Sequence, residues 1–183
     1  MTKWILLTLG VLLAQIAPAC AETKAPAAAV PSDPNFKSAT YGDWSFHCQT
    51  VGAAAQARKS CEVVQTVNLK DQTAPFAQIA LGKPTAGEPL MVTVVVPINV
   101  SFPSVVSITN SDKEVKATDL SWRRCVPGGC FASVALKEEA LKQWRSHNDA
   151  SGKVTFKNAA GQDVVMPMSF KGLSSALEAL AKE

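Results

Sequence analysis

The sequence lacks most of the residues and motifs from which catalytic and nucleic-acid-binding sites are built. Its 183 residues include only two histidines and one tyrosine, and charged residues make up only 18%. It contains no Gly-x-Ser-x-Gly elbow, no glycine-rich phosphate loop and no His-Glu-x-x-His zinc motif. The net charge of +3 comes without a run of like charges that could follow a phosphate backbone. These absences argue against an enzyme and against a nucleic-acid-binding protein.

The few residues that could support catalysis or metal binding do not form a recognisable site. His147 lies in a polar loop, SHNDASG, and a hydrolase that uses it is the weakest alternative. His47 and Cys48 are neighbours on a predicted strand, so their side chains point to opposite faces and do not share a metal. We therefore predict no catalytic residue, no metal ligand and no cofactor.

The N-terminus reads as a secretory signal peptide. Lys3 is followed by about ten apolar residues, a run too short to span a bilayer, and then by Ala19-Cys20-Ala21. We predict a signal peptide over residues 1–21, which leaves 183 − 21 = 162 residues after cleavage. The alternative is lipidation of Cys20, although the leucine usual at a lipoprotein site is missing. Cleavage and lipidation both predict an exported protein that is periplasmic, secreted or associated with the outer membrane. Neither alternative predicts a spanning helix.

Residues 22–38 predict a flexible linker, because three prolines stand among alanines and small polar residues. A folded domain is predicted over residues 39–183. From residue 41 onward, Trp44, Phe46 and Cys48 alternate with polar residues, as in a strand with one buried face. The run 90–96 is apolar throughout and predicts a central strand covered on both faces. Further strands are predicted at 61–69, 75–81, 105–109, 120–125, 130–136, 153–158 and 163–170.

Many short strands separated by turn signals predict an all-β fold, a β-sandwich with one or two short peripheral helices. The first helix is predicted over residues 136–146, where apolar residues at helical spacing favour a lid on the sheet over a binding helix. The second is predicted over 175–182. Its leucines favour docking onto the core, and partner binding is the alternative.

Export predicts that the cysteines form disulfides, because an exported protein is in an oxidising compartment. Without Cys20, four cysteines remain, and they allow three pairings among which the sequence alone does not choose. Turn-like segments inside each neighbouring pair favour Cys48 with Cys61 and Cys125 with Cys130. For the second pair, the spacing of five residues is poor for zinc, and Val126-Pro127-Gly128-Gly129 breaks the helix that a redox thiol would need. A disulfide across a β-hairpin is the favoured interpretation.

Arg123 and Arg124 precede this hairpin turn. As neighbours on a strand, they are predicted to face opposite sides. One interpretation is that they are edge-strand charges that block unwanted pairing. The other is a rigid basic loop that binds an anionic partner, formed by these arginines and by Val126, Pro127, Gly128 and Gly129.

Several ordered segments resemble the invasion-associated locus B family of exported Gram-negative proteins. The resemblance covers about residues 40–178. Its specific parts are Gly42-Asp43-Trp44 and the Arg-Cys-x-Pro-x-Gly-Cys segment that runs from Arg124 to Cys130, with Gly128 where an asparagine is common. The other matching segments are CEVVQ at 61–65, Val96-Pro97 and MPMSFKGL at 166–173.

The resemblance implies an immunoglobulin-like β-sandwich in the cell envelope, similar to proteins linked to bacterial invasion of host cells, with no established enzymatic site. Together with the residues, it leads to the hypothesis of a non-enzymatic module that binds an unknown envelope or host protein. A carrier that binds a small ligand or lipid in an apolar cleft between sheets is the alternative from another class.

Overall fold

The computed structural model describes residues 36–53, 56–70, 74–85, 87–110, 116–147 and 151–183. The predicted signal peptide and linker residues 22–35 lie outside these ranges. The first strand, β1 (Phe36–Tyr41), begins inside the range predicted as linker. It pairs antiparallel with the next strand, with Phe36 opposite Gln49, so residues 36–38 belong to the folded domain. The proline-rich composition upstream concealed this short edge strand.

Ten strands and two helices make up the described domain. The remaining strands lie close to their predicted positions, and both helices were also predicted. After β1, the strands are β2 (Trp44–Val51), β3 (Arg58–Val67), β4 (Ala77–Gly82), β5 (Met91–Val96), β6 (Val105–Asn110), β7 (Thr118–Val126), β8 (Gly129–Ala135), β9 (Ser151–Lys157) and β10 (Asp163–Ser169). The helices are α1 (Glu138–Ser146) between β8 and β9, and α2 (Leu173–Leu180) after β10.

All strand pairs are antiparallel and join into one continuous sheet in the order β1-β2-β3-β4-β5-β8-β7-β6-β9-β10. The sheet bends over on itself, because β10 at one edge also packs against β3. One apolar core fills the space between the two layers, and its largest fully buried side chains include Trp44, Phe170 and Ile79. The predicted all-β, immunoglobulin-like sandwich with short peripheral helices is confirmed, and the hydrogen bonding shows that both layers belong to one sheet.

The prediction that β5 is buried on both faces is wrong. Val92, Val94 and Val96 are buried, but Met91, Thr93 and Val95 on the opposite face are only half-buried. The strand is nevertheless central, because it lies between β4 and β8. Its apolar residues on the second face therefore contribute to an exposed surface of the sheet.

Both helices close the core from outside the sheet. In α1, Trp144 is buried and its ring centroid lies 5.8 Å from that of Phe170. In α2, Leu173, Ala176 and Leu177 are buried, and the helix packs against β1, β2, β3 and α1. The second helix therefore docks onto the core as predicted. The first helix packs against α2 and contributes Trp144 to the core.

Candidate functional site

The turn between β7 and β8 is stapled by a disulfide. Cys125 and Cys130 stand opposite each other in the hairpin, with Cα atoms 4.0 Å apart and sulfur atoms at bonding distance. Pro127 and Gly128 form the two-residue turn. Gly129 has a φ of 141°, and a Cβ atom there would lie 2.7 Å from the Val96 carbonyl oxygen. Glycine is therefore required at residue 129, where the hairpin lies against the end of β5.

The second predicted pair, Cys48 with Cys61, is also at bonding distance and joins opposite residues of β2 and β3. The carboxylate of Glu183 lies close to both sulfur atoms, which makes these residues the one cluster of potential metal ligands found in the described ranges. Two sulfurs bonded to each other offer no thiolate to a metal. The cluster is therefore read as a disulfide beside a salt bridge.

A β-bulge changes the direction of the arginines before the turn. Trp122 pairs with Ala132 and Arg124 pairs with Phe131, which leaves Arg123 as the extra residue. The Arg123 Nε atom donates a hydrogen bond of 3.2 Å to the Ser133 hydroxyl. The Arg124 guanidinium lies 5.2 Å from the centroid of the Phe131 ring, in cation–π geometry.

Both arginines consequently lie on the same face of the sheet. Phe131 and Ser133 alternate along β8 with the buried residues Cys130 and Ala132, so they belong to the outer face. The prediction that the two arginines face opposite sides is wrong, because the inserted residue of a bulge interrupts the alternation of the strand. The sequence offers no signal for this bulge.

These arginines border a region of the outer surface that carries no charged side chain. We call it the uncharged sheet face. Cross-strand pairing aligns Gln78, Val95, Phe131 and Arg124 in one row, and Ala80, Thr93 and Ser133 in the next. Apart from the buried Val64, its residues are half-buried or exposed. The face consists of Val64, Thr66, Gln78, Ala80, Thr93, Val95, Phe131 and Ser133.

The contacts of the two histidines involve neither Arg123 nor Arg124. His147 follows α1, and its Nδ1 atom lies 2.6 Å from the Gln143 carbonyl oxygen and 3.2 Å from the Ser146 hydroxyl. His47 is on the outer side of β2, with its ring centroid 5.7 Å from that of Phe36. The contacts of His147 are those of a residue that caps the end of a helix.

Three segments of the family resemblance, 42–44, 61–65 and 166–173, meet at Ser169. The Ser169 carbonyl oxygen accepts hydrogen bonds from Trp44 Nε1 at 2.9 Å and from Gln65 Nε2 at 3.1 Å. The Ser169 amide donates to Gln65 Oε1 at 2.8 Å, and its hydroxyl donates to the Asp43 carboxylate at 2.6 Å. We call this group of bonds the Ser169 clasp. It ties the start of β2 and the middle of β3 to the end of β10.

The clasp has a structural role because it satisfies polar groups where the bent sheet closes. Gln65 is the one buried polar side chain among the described residues, and both ends of its amide are used. A further bond, from the Asp43 amide to the Lys171 carbonyl oxygen at 3.1 Å, connects the two turns. The hydrogen-bonding role of Gln65 was not predicted from the sequence. An alternating strand gives no sign of a partner that lies more than a hundred residues away.

A groove in the described structure lies beside β1 and the end of α2. It has a volume of about 580 Å³ and is open to solvent. Its lining combines Phe36 and Tyr41 with the charged residues Lys37, Lys182 and Glu183. It therefore differs from the apolar cleft between layers on which the carrier alternative depends, since the interlayer space is filled by the core.

Within the described residues, no helix is both long and apolar enough to cross a membrane. The two cysteine pairs at disulfide distance are consistent with a secreted or periplasmic protein.

Comparison with known proteins agrees with the fold and the motifs. The family model described as invasion associated locus B (IalB) protein matches residues 44–181. The crystal structure of invasion associated protein B from Bartonella henselae superposes with a TM-score of 0.64 at 19% sequence identity, covering 80% of this chain and 96% of that chain. A search of the curated proteins found no match. The match to the family model spans most of the chain and includes both cysteine pairs and Trp44, Gln65 and Ser169 of the clasp, so the chain belongs to the invasion associated locus B family.

Proposed function

We propose that this protein is an exported component of the cell envelope that acts by binding another protein and catalyses no reaction. The binding surface is the uncharged sheet face together with Arg123, Arg124 and the stapled turn at residues 126–129. The observation that carries the proposal is the bulge at Arg123, which brings both arginines to the border of this face. The family and the Bartonella protein are both named as invasion associated.

The composition of the surface supports protein binding. The buried centre of a protein–protein interface is depleted in charge and enriched in aromatic residues and arginine. Here Phe131 and Val95 stand side by side, and Arg124 packs against the Phe131 ring. The disulfide and the short turn hold the arginines on a rigid hairpin, so little conformational entropy is lost on binding.

The charges of the surface define the partner by its chemistry. Arg123 and Arg124 are both exposed, and both present guanidinium groups that pair with carboxylates in a bidentate manner. The partner is therefore expected to present an acidic group next to an apolar or aromatic patch. No specific observation favours the carrier alternative, since the groove at β1 is open and lined partly by charged residues.

Crosslinking in the native envelope tests the proposal. The double variant R123Q/R124Q should lose the crosslinked partner that the unmodified protein recovers. The matched control is K142Q/R145Q, which removes two exposed cations from α1, on a different part of the surface. Unchanged recovery with R123Q/R124Q, in a protein whose near-ultraviolet circular dichroism shows an intact fold, would reject this surface as the binding site.

A further inference from the structure

Exposed apolar side chains are concentrated at one end of the sheet. Because β3, β5 and β7 run in the same direction, they all end there. Five of the seven large hydrophobic residues that are exposed in the described ranges lie in or next to the connections at this end; one is Val105 at the start of β6, and the other four are considered together. We call these four the apolar tips: Leu69 (41% exposed), Ile98 (64%), Phe102 (60%) and Val126 (41%).

The connection from β5 to β6 holds its two tips outward by specific contacts. Val100 between them is buried, and the Ser101 amide donates a 3.0 Å hydrogen bond to the Lys157 carbonyl oxygen. The Phe102 ring lies 5.8 Å from the Trp122 ring, and Trp122 Nε1 donates to the Ser104 hydroxyl at 3.2 Å. The exposure of Ile98 and Phe102 is therefore a feature of an anchored loop, and anchored apolar exposure marks an interaction site.

We propose that the apolar tips insert into the headgroup region of an anionic lipid surface. The tips come from three separate connections, and the groove beside β1 and the end of α2 is lined by none of them. Protein partners usually place their anchor side chains in pockets, whereas a lipid interface adapts to separate projecting side chains.

The charges around the tips determine which lipid surface they fit. The segment 97–104 carries no charged residue, and Lys70 after Leu69 is followed by Asp71, so the net positive charge near the tips comes from Arg123 and Arg124 before the stapled turn. Cations that flank apolar side chains are attracted to anionic headgroups while the apolar groups enter the interface. Docking by this end leaves the uncharged sheet face, on the side of the sheet, exposed, but Arg124 and Val126 belong to both proposed surfaces. The variant I98S/F102S leaves these shared residues in place and therefore tests the lipid surface alone.

Vesicle partitioning of the purified exported protein tests the proposal. We expect binding to vesicles of phosphatidylcholine mixed with phosphatidylglycerol, and weaker binding to phosphatidylcholine alone. The variant I98S/F102S should lower partitioning into the mixed vesicles by at least about tenfold, because two apolar side chains lose their transfer into the interface. R123Q/R124Q should lower it by roughly fivefold per arginine, and only for the anionic vesicles.

The control is V165S, which removes an equally exposed side chain (56%) from β10, away from the tips. It should leave partitioning unchanged, and the single variant I98S should give an intermediate loss. Failure of the unmodified protein to bind, an unaffected I98S/F102S variant, or an equal loss with V165S would each overturn the proposal. A different result would be that the unmodified protein binds no vesicles and I98S/F102S abolishes its crosslinking to an envelope protein. The apolar tips would then be a protein interface. The arginine surface is judged separately by the crosslinking of R123Q/R124Q.

Discussion

At the scale of single residues, Gly172 shows how the Ser169 clasp depends on the absence of a side chain. Its φ is 84°, and a Cβ atom there would collide with the Tyr41 carbonyl oxygen. The motif around residues 166–173 is thus explained by close backbone approach between the turn before α2 and the end of β1. Resemblance identified this glycine as part of a motif, and only the fold shows what it touches.

Gly172→Ala should destabilise the protein by about 2–5 kcal/mol, the sum of left-handed strain and overpacking against backbone. The free energy of unfolding in urea measures the effect. The matched control is Gly161→Ala, where φ is also positive at 77° but no atom lies within 4 Å of the added Cβ. It should cost only the strain, about 1–2 kcal/mol. Equal losses for the two variants would show that the contact with Tyr41 contributes nothing.

Gln65 and Arg123 mark the limit of prediction at this scale. Each residue lies in a segment correctly predicted as a strand, yet the role of each depends on a neighbour distant in the chain or on an irregular register. Gln65 binds Ser169, and Arg123 is displaced by the bulge opposite β8. Alternation along one strand contains no information about either, because it describes only the two faces of a regular strand.

At the scale of elements, the two disulfides join hairpins that the strands already form. The Cys48–Cys61 bridge has a sequence separation of 13 and the Cys125–Cys130 bridge a separation of 5. Because a bridge restricts the unfolded chain more when it closes a longer loop, C48A/C61A should lose about 3 kcal/mol and C125A/C130A about 2 kcal/mol.

Urea unfolding of both variants measures the two losses, and each double variant is the control for the other because each removes one buried cysteine. A non-reducing peptide map checks the pairing. Cys125 and Cys130 lie in one tryptic peptide, and an intact bridge between them makes that peptide two hydrogens lighter with no second peptide attached. A larger loss for the shorter bridge would contradict the loop-entropy explanation.

Glu183 connects the end of the chain that follows α2 to two strands. It forms salt bridges with Lys59 on β3 and with Lys37 on β1. Hydrogen bonds from Lys59 and Lys37 hold the pKa of the Glu183 carboxyl below its ordinary value of 4.5. Because the folded state favours the charged form, this contribution to stability is fully present above pH 4.5 and is lost as the pH falls through the lowered pKa.

Glu183→Gln should therefore reduce the free energy of unfolding slightly at pH 7, and the difference from the unmodified protein should vanish in acid. It should also shrink at high salt, which screens exposed ion pairs. Urea unfolding across pH measures both effects. Glu178→Gln on the exposed side of α2 is the control, and a pH-independent difference for E183Q would indicate that the charge is not involved.

At the scale of the whole molecule, the bent sheet explains the alternation of apolar and polar residues along the strands. A domain with a single core between two layers needs alternating strands, whereas the first 35 residues lie outside the described domain. If residues 1–21 are a signal peptide, the exported protein should begin at Glu22. Mass spectrometry of the protein from its own envelope checks this, and an acylated N-terminal Cys20 would show lipidation instead.

The strand and helix positions after residue 40, the β-sandwich class and the family resemblance could be predicted from the sequence, which favoured one disulfide pairing without excluding the other two. These features depend on alternation, helical spacing and turn residues, which are local along the chain. The tertiary structure decided the edge strand at 36–41, the single-sided burial of β5 and the common face of Arg123 and Arg124. It also brought together the apolar tips and the partners of Ser169, because those positions depend on how distant strands pair and bend.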